Sequence, residues 1–336
     1  MIASVVLLNW NGWKDTIECL ESLLQLNQPS LRIIVCDNGS SDGSFEKIKQ
    51  WATGTLAATC ANPELSRFVL PPSPKPLAFR ELLRQEAEAP SSAGEDHLVL
   101  IQNGANLGFA GGCNVGLRHA LGDKNCKYFW LLNNDTIVER NALAAMIHVL
   151  QERPEVGLCG SLNLSYYEPG HIQARGGKSY NPWTGRVCET NQPETASLDK
   201  DADRLDYVHG ASMLASRAYL ETVGLMEESY FLYFEELDWA MRAKGKFALS
   251  YCASSVIYHK EGSSIGSSSN RKVRSLLADT YLSRNRVLFT RRYFPWALPS
   301  VLACVCFAAV LRLGYGDRER AKAMFAFMLG GLTTRK

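Results

Sequence analysis

Several familiar signatures are missing from this 336-residue sequence. None of its ten cysteines forms a C-x-x-C pair, and Cys19, Cys36 and Cys159 sit inside apolar runs, so they read as reduced core residues of a cytosolic protein. A formal charge of only +2 gives no global field to hold a polyanion, which sets nucleic acid aside as a partner. The opening segment, Met1 to Asn9, lacks a basic stretch, and its apolar run is too short for a signal peptide or membrane anchor. A strand is expected there. No internal repeat is present, and no apolar run reaches the ~20 residues of a membrane span.

What is present suits an α/β core, with 46% hydrophobic residues distributed in alternating strand and helix patterns. Val5 to Leu8 is a continuous, β-branched run of the kind buried on both faces of a parallel sheet, and it ends in Asn9-Trp10-Asn11-Gly12. Ile17, Leu20, Leu23 and Leu24 follow at helical spacing, then a second buried strand, Arg32 to Cys36, ends in Asp37-Asn38-Gly39-Ser40-Ser41-Asp42-Gly43-Ser44. From about 53 to 97 the pattern breaks into Pro-rich and Glu/Ser/Ala-rich sequence, including Pro71-Pro72-Ser73-Pro74-Lys75-Pro76, and reads as an insertion without a central strand. Order returns with Leu98 to Ile101, a Gly-rich loop, a helix around Asn114 to Leu121 and the strand Tyr128 to Leu132. A helix through Leu143, Met146, Ile147 and Leu150 and a strand near Val156 to Ser161 complete this half.

In an open parallel sheet ligands bind at the carboxyl ends of the strands, and those ends carry Asn11, Asp37, Asp42, Asn106 and Asp135. Asp37 can accept a hydrogen bond from a pyrimidine imide N–H or close an Asx turn. Asn106-Leu107-Gly108-Phe109-Ala110-Gly111-Gly112-Cys113-Asn114 offers small residues that let backbone N–H groups approach a ligand at a helix start, with a plain tight turn as the alternative. Asp135, in Asn133-Asn134-Asp135, can present an oxygen to Mg²⁺ or Mn²⁺ bridging a diphosphate, or cap a helix. Glu235-Glu236-Leu237-Asp238 follows the aromatic run Tyr230 to Phe234. It places candidate general bases at a helix start, although acidic residues also favour helix N-termini and Asp238 has Arg242 at i+4. His259 is a candidate metal or phosphate ligand or a structural histidine.

In this order, these segments resemble the family 2 glycosyltransferases of GT-A fold, in particular the rhamnosyltransferase-like branch. The likeness spans roughly residues 3 to 52 and 98 to 265, and includes His209-Gly210-Ala211-Ser212 and Phe234 to Arg242. It implies an α/β GT-A domain over 1–265 and inverting transfer from a nucleoside diphosphate sugar to a hydroxyl of a glycan or lipid-linked acceptor, in cell-surface polysaccharide synthesis. Asp37 would meet the base and Asn114 the ribose or diphosphate. Asp135 and His259 would hold the metal, with Asn134 beside them in the donor set. Gly210, Ala211, Ser212 and Arg242 would lie on the acceptor side, and Glu236 would be the base, with Glu235 as its substitute. Two departures stand out. Asn133 replaces the first acid of the usual Asp-x-Asp, and the base is Glu where many relatives have Asp. The first leaves open a catalytically inactive module that binds sugar nucleotide or glycan as a scaffold.

Residues 266–336 change character. Arg284, Arg286, Arg291 and Arg292 precede the apolar stretch Ala297 to Leu311, and a second apolar stretch spans Ala323 to Leu332. Both are expected to be too short to span a bilayer, and to lie on the inner leaflet of the cell membrane as interfacial helices or to pack on protein, a homodimer partner included.

Overall fold

The computed structural model describes residues 2–28, 30–89, 96–189, 205–261 and 275–333. The apolar runs fold as the sequence suggests. Strands β1 (Ala3–Asn9), β2 (Leu31–Asp37), β3 (Arg80–Leu83), β4 (Leu98–Gln102) and β5 (Tyr128–Asn133) form a parallel block in the order β5-β1-β2-β4-β3. Helices α1 (Trp13–Leu24), α2 (Ser44–Thr53), α3 (Arg84–Ala87) and α4 (Gly108–Leu121) connect them. Register aligns Asn9 with Asp37 and Leu8 with Asn133, so the polar strand ends fall side by side. β3 is an addition to the sequence reading, because the insertion supplies a short edge strand, where a Pro-rich neighbourhood is tolerated.

The sheet continues through β6 (Thr136–Val138), α5 (Ala142–Glu152) and β7 (Val156–Ser165) into a small antiparallel set, β8 (Ile172–Arg175), β9 (Gly177–Asn181), β10 (Arg186–Glu189) and β11 (Tyr207–Val208). β12 (Ser212–Ser216) lies antiparallel between β5 and β7. After α6 (Arg217–Val223) and α7 (Glu235–Ala243), β13 (Ala248–His259) pairs with β7 and β6, carrying His259 to the strand ends. Core packing fills both faces of the parallel block. One face packs Trp51, Trp130 and Leu20, and the other packs Phe129, Trp239 and Tyr219.

Three helices close the chain: α8 (Leu276–Tyr293), α9 (Leu298–Gly314) and α10 (Arg318–Thr333). The first belongs to the body. Phe289 and Leu288 share a core with Tyr180, Phe234 and Leu237, and the Tyr293 hydroxyl donates to buried Asp238 at 2.6 Å. Arg291 and Arg292, expected to meet lipid headgroups, turn inward, Arg292 to Asp238 at 2.9 Å and Arg291 to the Leu332 carbonyl. A buried carboxylate without such partners would be costly, which is why Asp238 draws Arg292 and the Tyr293 hydroxyl inward. The second apolar helix also departs from expectation. Helical turns run without a break from Pro295 to Gly314, 20 residues of mean hydropathy 2.0, so length and composition alone suffice to cross a membrane. One of its faces, Val301 and Val305, packs on Val287 and Met328.

Candidate active site

The strand ends, α7 and the C-terminal helices enclose one cavity of about 1440 Å³. At the strand ends, Asn133 and Asp135 flank the turn between β5 and β6. Asp135 Oδ1 lies 3.2 Å from His259 Nε2, and Asn133 Nδ2 lies 3.2 Å from the same nitrogen. His259 Nδ1 faces Gln173 Oε1 at 3.3 Å. Burial works against protonation of His259, but the Asp135 carboxylate outweighs it and raises the imidazole above its ordinary pKa. Nε2 cannot serve both neighbours: protonated it donates to Asp135, and deprotonated it takes a donor or a metal.

The donor set fits a divalent ion. Adjacent ligands each about 2.1 Å from one ion stand about 3 Å apart, close to the observed separation. Among the described residues no group of three or more His, Cys, Asp or Glu is arranged to hold a metal ion, so an ion here would take most of its remaining ligands from a diphosphate, as Mg²⁺ commonly does.

Across α7, Glu236 lines the cavity, half-buried. Its backbone position is built from strain and close packing. Phe231, Tyr233 and Phe234 adopt left-handed φ of 65°, 67° and 76°, a conformation costly for bulky residues and concentrated at functional sites. Gly210 leaves room beside it, since a Cβ there would lie 2.2 Å from Glu236 Oε1 and push the carboxylate aside. Burial raises the Glu236 carboxyl from 4.5 to about 7, with its own backbone amide and Lys178 pulling the other way. Glu235 is driven well above the usual range by burial and by the neighbouring Glu236. Its Oε2 is buried without a hydrogen-bond partner. Burial thus opposes ionisation of both carboxyls, and the one that lines the cavity titrates near neutrality, the range in which a general base is most effective.

The remaining sequence candidates divide. Asn106, Gly108, Asn134, Gly210 and Ala211 line the cavity. Asn106 Oδ1 accepts from Gly108 N at 3.0 Å and Asn38 Nδ2 at 2.9 Å, and Asn134 turns its amide to Thr16 at 2.9 Å. Others face elsewhere. Asn114 is buried against the loop before α7, bonding Met226 O and Glu228 at 2.9 Å each. Ser212 joins a buried ladder with Trp130 at 2.8 Å and Ser161 at 2.6 Å. Arg242 holds Asp238 at 2.8 Å and the carbonyls of Val223 and Leu225 at 2.7 Å each, as the i+4 alternative anticipated. Asn11 ties its loop to the next, its Oδ1 accepting from Ser41 N at 2.7 Å, and Asp42 acts within its own loop, its Oδ1 accepting from Ser44 N at 2.9 Å. Asp37 is buried at the end of β2, taking bonds from Asn9 at 2.7 Å and from Ser40 Oγ at 2.6 Å and N at 3.0 Å.

The glycine-rich segment also differs from expectation. It forms the first turns of α4, and its leading N–H groups already have protein acceptors: Leu107 on Asn38 at 3.1 Å, Gly108 on Asn106, and Phe109 on Phe231 O at 2.6 Å. Gly108, at φ +74°, lets the Phe231 backbone approach, while Gly111 and Gly112 pack against Leu107 and Leu8. These glycines therefore fit elements together where an open anion cradle was expected.

Sequence reasoning missed Asn38, which ties both loops together, and Lys178 and Asn285. Residues 4–62 and 78–224 match the model of Glycosyl transferase family 2. The chain belongs to that family. The match ends before α7, so Glu236 and His259 lie outside it. The Low-salt glycan biosynthesis hexosyltransferase Agl10 of Haloferax volcanii is 26% identical over 154 residues, 44% of this chain and 47% of that protein. The glycosyltransferase thus spans about half the length of that curated relative. In fold it resembles mannosyltransferase PcManGT from Pyrobaculum calidifontis, solved with GDP-Man and Mn²⁺, at TM-score 0.53 and 15% identity over 100% of this chain and 88% of that one. It also resembles GalNAc-T7 with UDP, GalNAc and Mn²⁺, at 0.52 and 14% over 85% and 51%. The GT-A architecture expected from the sequence is thus the observed one.

Proposed function

We propose that this glycosyltransferase moves a hexose or deoxyhexose, rhamnose being the first to test, from a nucleoside diphosphate to a hydroxyl of a glycan or lipid-linked acceptor, with inversion. Cell-surface polysaccharide synthesis at the cytoplasmic face of the membrane is its setting. The observation that carries the reading is the cavity joining Glu236, in the room left by Gly210, with the Asp135–His259 pair. Glu236 takes the proton of the acceptor hydroxyl, whose oxygen attacks the anomeric carbon as the nucleoside diphosphate leaves from the opposite face. Asp135 and His259 would hold Mg²⁺ or Mn²⁺, which when bound neutralises charge on the departing diphosphate. Asn38, Asn106 and Trp10 line the donor end, where Asp37 stiffens the loop beneath the base of the nucleotide.

A base acting directly on the acceptor hydroxyl suits a single inverting displacement, whereas a covalent intermediate needs a separate nucleophile. A screen of nucleoside diphosphate sugars, read by nucleoside diphosphate release with and without acceptor, tests the reading. Turnover of one donor, with the product anomer opposite to the donor's, is the expected result. Binding without turnover of any donor would mark an inactive module.

A further inference from the structure

The cavity that holds Glu236 is also walled by α8 and α9, through Leu277, Leu282, Phe307, Leu311, Tyr315 and the α10 residue Met324. One continuous space is therefore titratable at Glu236, while its helical wall is mostly apolar, interrupted by Ser283, Arg286, Asp317 and the paired Asp279 and Arg312. A free water-soluble glycan would leave that hydrocarbon wet. Phe307, Leu311 and Tyr315 are 62%, 40% and 81% exposed, and grouped exposed apolar residues beside a site are a common mark of ligand or membrane contact. Beside the α9 wall the β9–β10 turn is fastened to the start of α9, with Trp183 and Trp296 ring centroids 4.7 Å apart and Ser300 Oγ donating to Trp183 O at 2.7 Å. Paired exposed tryptophans with apolar bodies and polar edges suit the boundary between water and lipid.

We infer that the acceptor is an amphiphile: its polar end presents the hydroxyl to Glu236, and its hydrocarbon chain lies along the α8–α9 wall of the same cavity. This deepens the glycosyltransferase reading and rests on it. The continuity of the wall with the site selects this occupant over a second copy of the chain, whose side chains would intrude on the acceptor end. The groove recognises chain length and not sugar identity, so the probe need not be the natural acceptor.

The full chain, holding nucleoside diphosphate and Mg²⁺, is titrated calorimetrically with n-butyl and n-decyl β-glucoside below their micelle concentrations. The decyl compound is expected to bind at least about thirtyfold tighter, since six further methylenes leave water. Leu311→Asp should weaken decyl binding at least about tenfold. Leu329→Asp, at a more exposed position on α10 (56% against 40% for Leu311) that does not line the cavity, should change it less than about twofold, as isolated surface changes do. Equal affinity for both chain lengths would overturn the inference. So would equal effects of the two substitutions, or a dimer that dissociates on Leu311→Asp while decyl glucoside fails to bind. Failure of the unsubstituted chain to bind any nucleoside diphosphate would overturn the glycosyltransferase reading as well, whereas nucleotide binding without chain-length dependence would overturn only this one.

Discussion

Asn285, buried in α8, donates its side-chain amide to the carbonyl of Leu232 at 2.7 Å, and the same nitrogen lies 2.9 Å from Tyr230 O and 3.0 Å from Tyr233 O. These carbonyls belong to the left-handed turn that presents Glu235 and Glu236. Strain of this kind persists only when surrounding groups over-determine it. Asn285→Ala would remove the two N–H donors that these three carbonyls share, although Tyr230 O keeps its bond from Leu232 N at 2.7 Å, and each bond lost is worth ~1 kcal/mol or more. The expected outcome is a lower kcat with donor KM nearly unchanged, and a lower urea midpoint. Unchanged kcat in a variant of reduced stability would limit Asn285 to a structural role.

Glu236→Gln should abolish transfer while donor affinity stays nearly constant, because the base acts on the acceptor. If Glu235→Gln were instead the dead variant, the base would move by one residue. Gly210→Ala should also lower kcat by ~10²-fold or more, since it displaces the carboxylate. Steady-state rates and nucleotide titrations check all three.

The pH dependence of rate and stability should run in opposite directions at Glu236. Its carboxyl titrates near 7 in the folded chain and at its ordinary 4.5 when unfolded. Between those values the folded state binds more protons, so this group's contribution to stability rises on acidification and is lost as pH climbs through about 7. The base must be ionised, so kcat/KM falls over the same acid window. Glu236→Gln should flatten its share of the stability profile, measured by denaturant midpoints from pH 5 to 8.

Asp135→Ala should weaken nucleoside diphosphate binding in Mg²⁺ or Mn²⁺ but change little in chelator, because the carboxylate acts through the cation. Equal losses in both conditions would return Asp135 to a capping role. Asp37→Ala should weaken donor binding with or without metal. If affinity does not change, the three bonds from Asn9 and Ser40 are the whole of its function.

The parallel block was legible because buried parallel strands are continuous apolar runs, and register then brings Asn9, Asp37 and Asn133 to one edge. Which way a motif residue points was harder to read. Ser212 sits in a motif with Gly210 and Ala211, yet β12 turns its hydroxyl into the Trp130–Ser161 ladder. Arg242 and Asn114 were legible as polar residues, but their partners lie in the 223–228 segment, whose path no periodicity announces. Asn285 had no signal at all. It is one amide on a helix, and its three acceptors lie more than fifty residues earlier, in a turn built from non-glycine residues in the left-handed region.

Membrane contact through the tail should depend on apolar area more than on charge. Arg291 and Arg292 bond inward, and Arg312 and Arg320 both reach buried Asp279 at 2.8 Å. Arg318 and Lys322 are exposed. Deleting residues 293–336 is a poor probe, because it strips Asp238 of the Tyr293 hydroxyl and Asp279 of both guanidinium groups. Two buried carboxylates would be left undercompensated, and the body would suffer with the tail. Val310 and Leu313, 54% and 44% exposed, do not line the catalytic cavity. Val310→Glu with Leu313→Glu should therefore spare nucleotide binding and folding while removing apolar contact with the bilayer. Flotation with vesicles containing anionic lipid should show about tenfold or greater loss of binding in the double variant. For the unsubstituted chain, raising salt from 50 to 500 mM should have a smaller effect, because few cations face the headgroups. Release by salt alone, with the double variant bound as tightly as the original, would instead make contact electrostatic and leave the α9 face to protein.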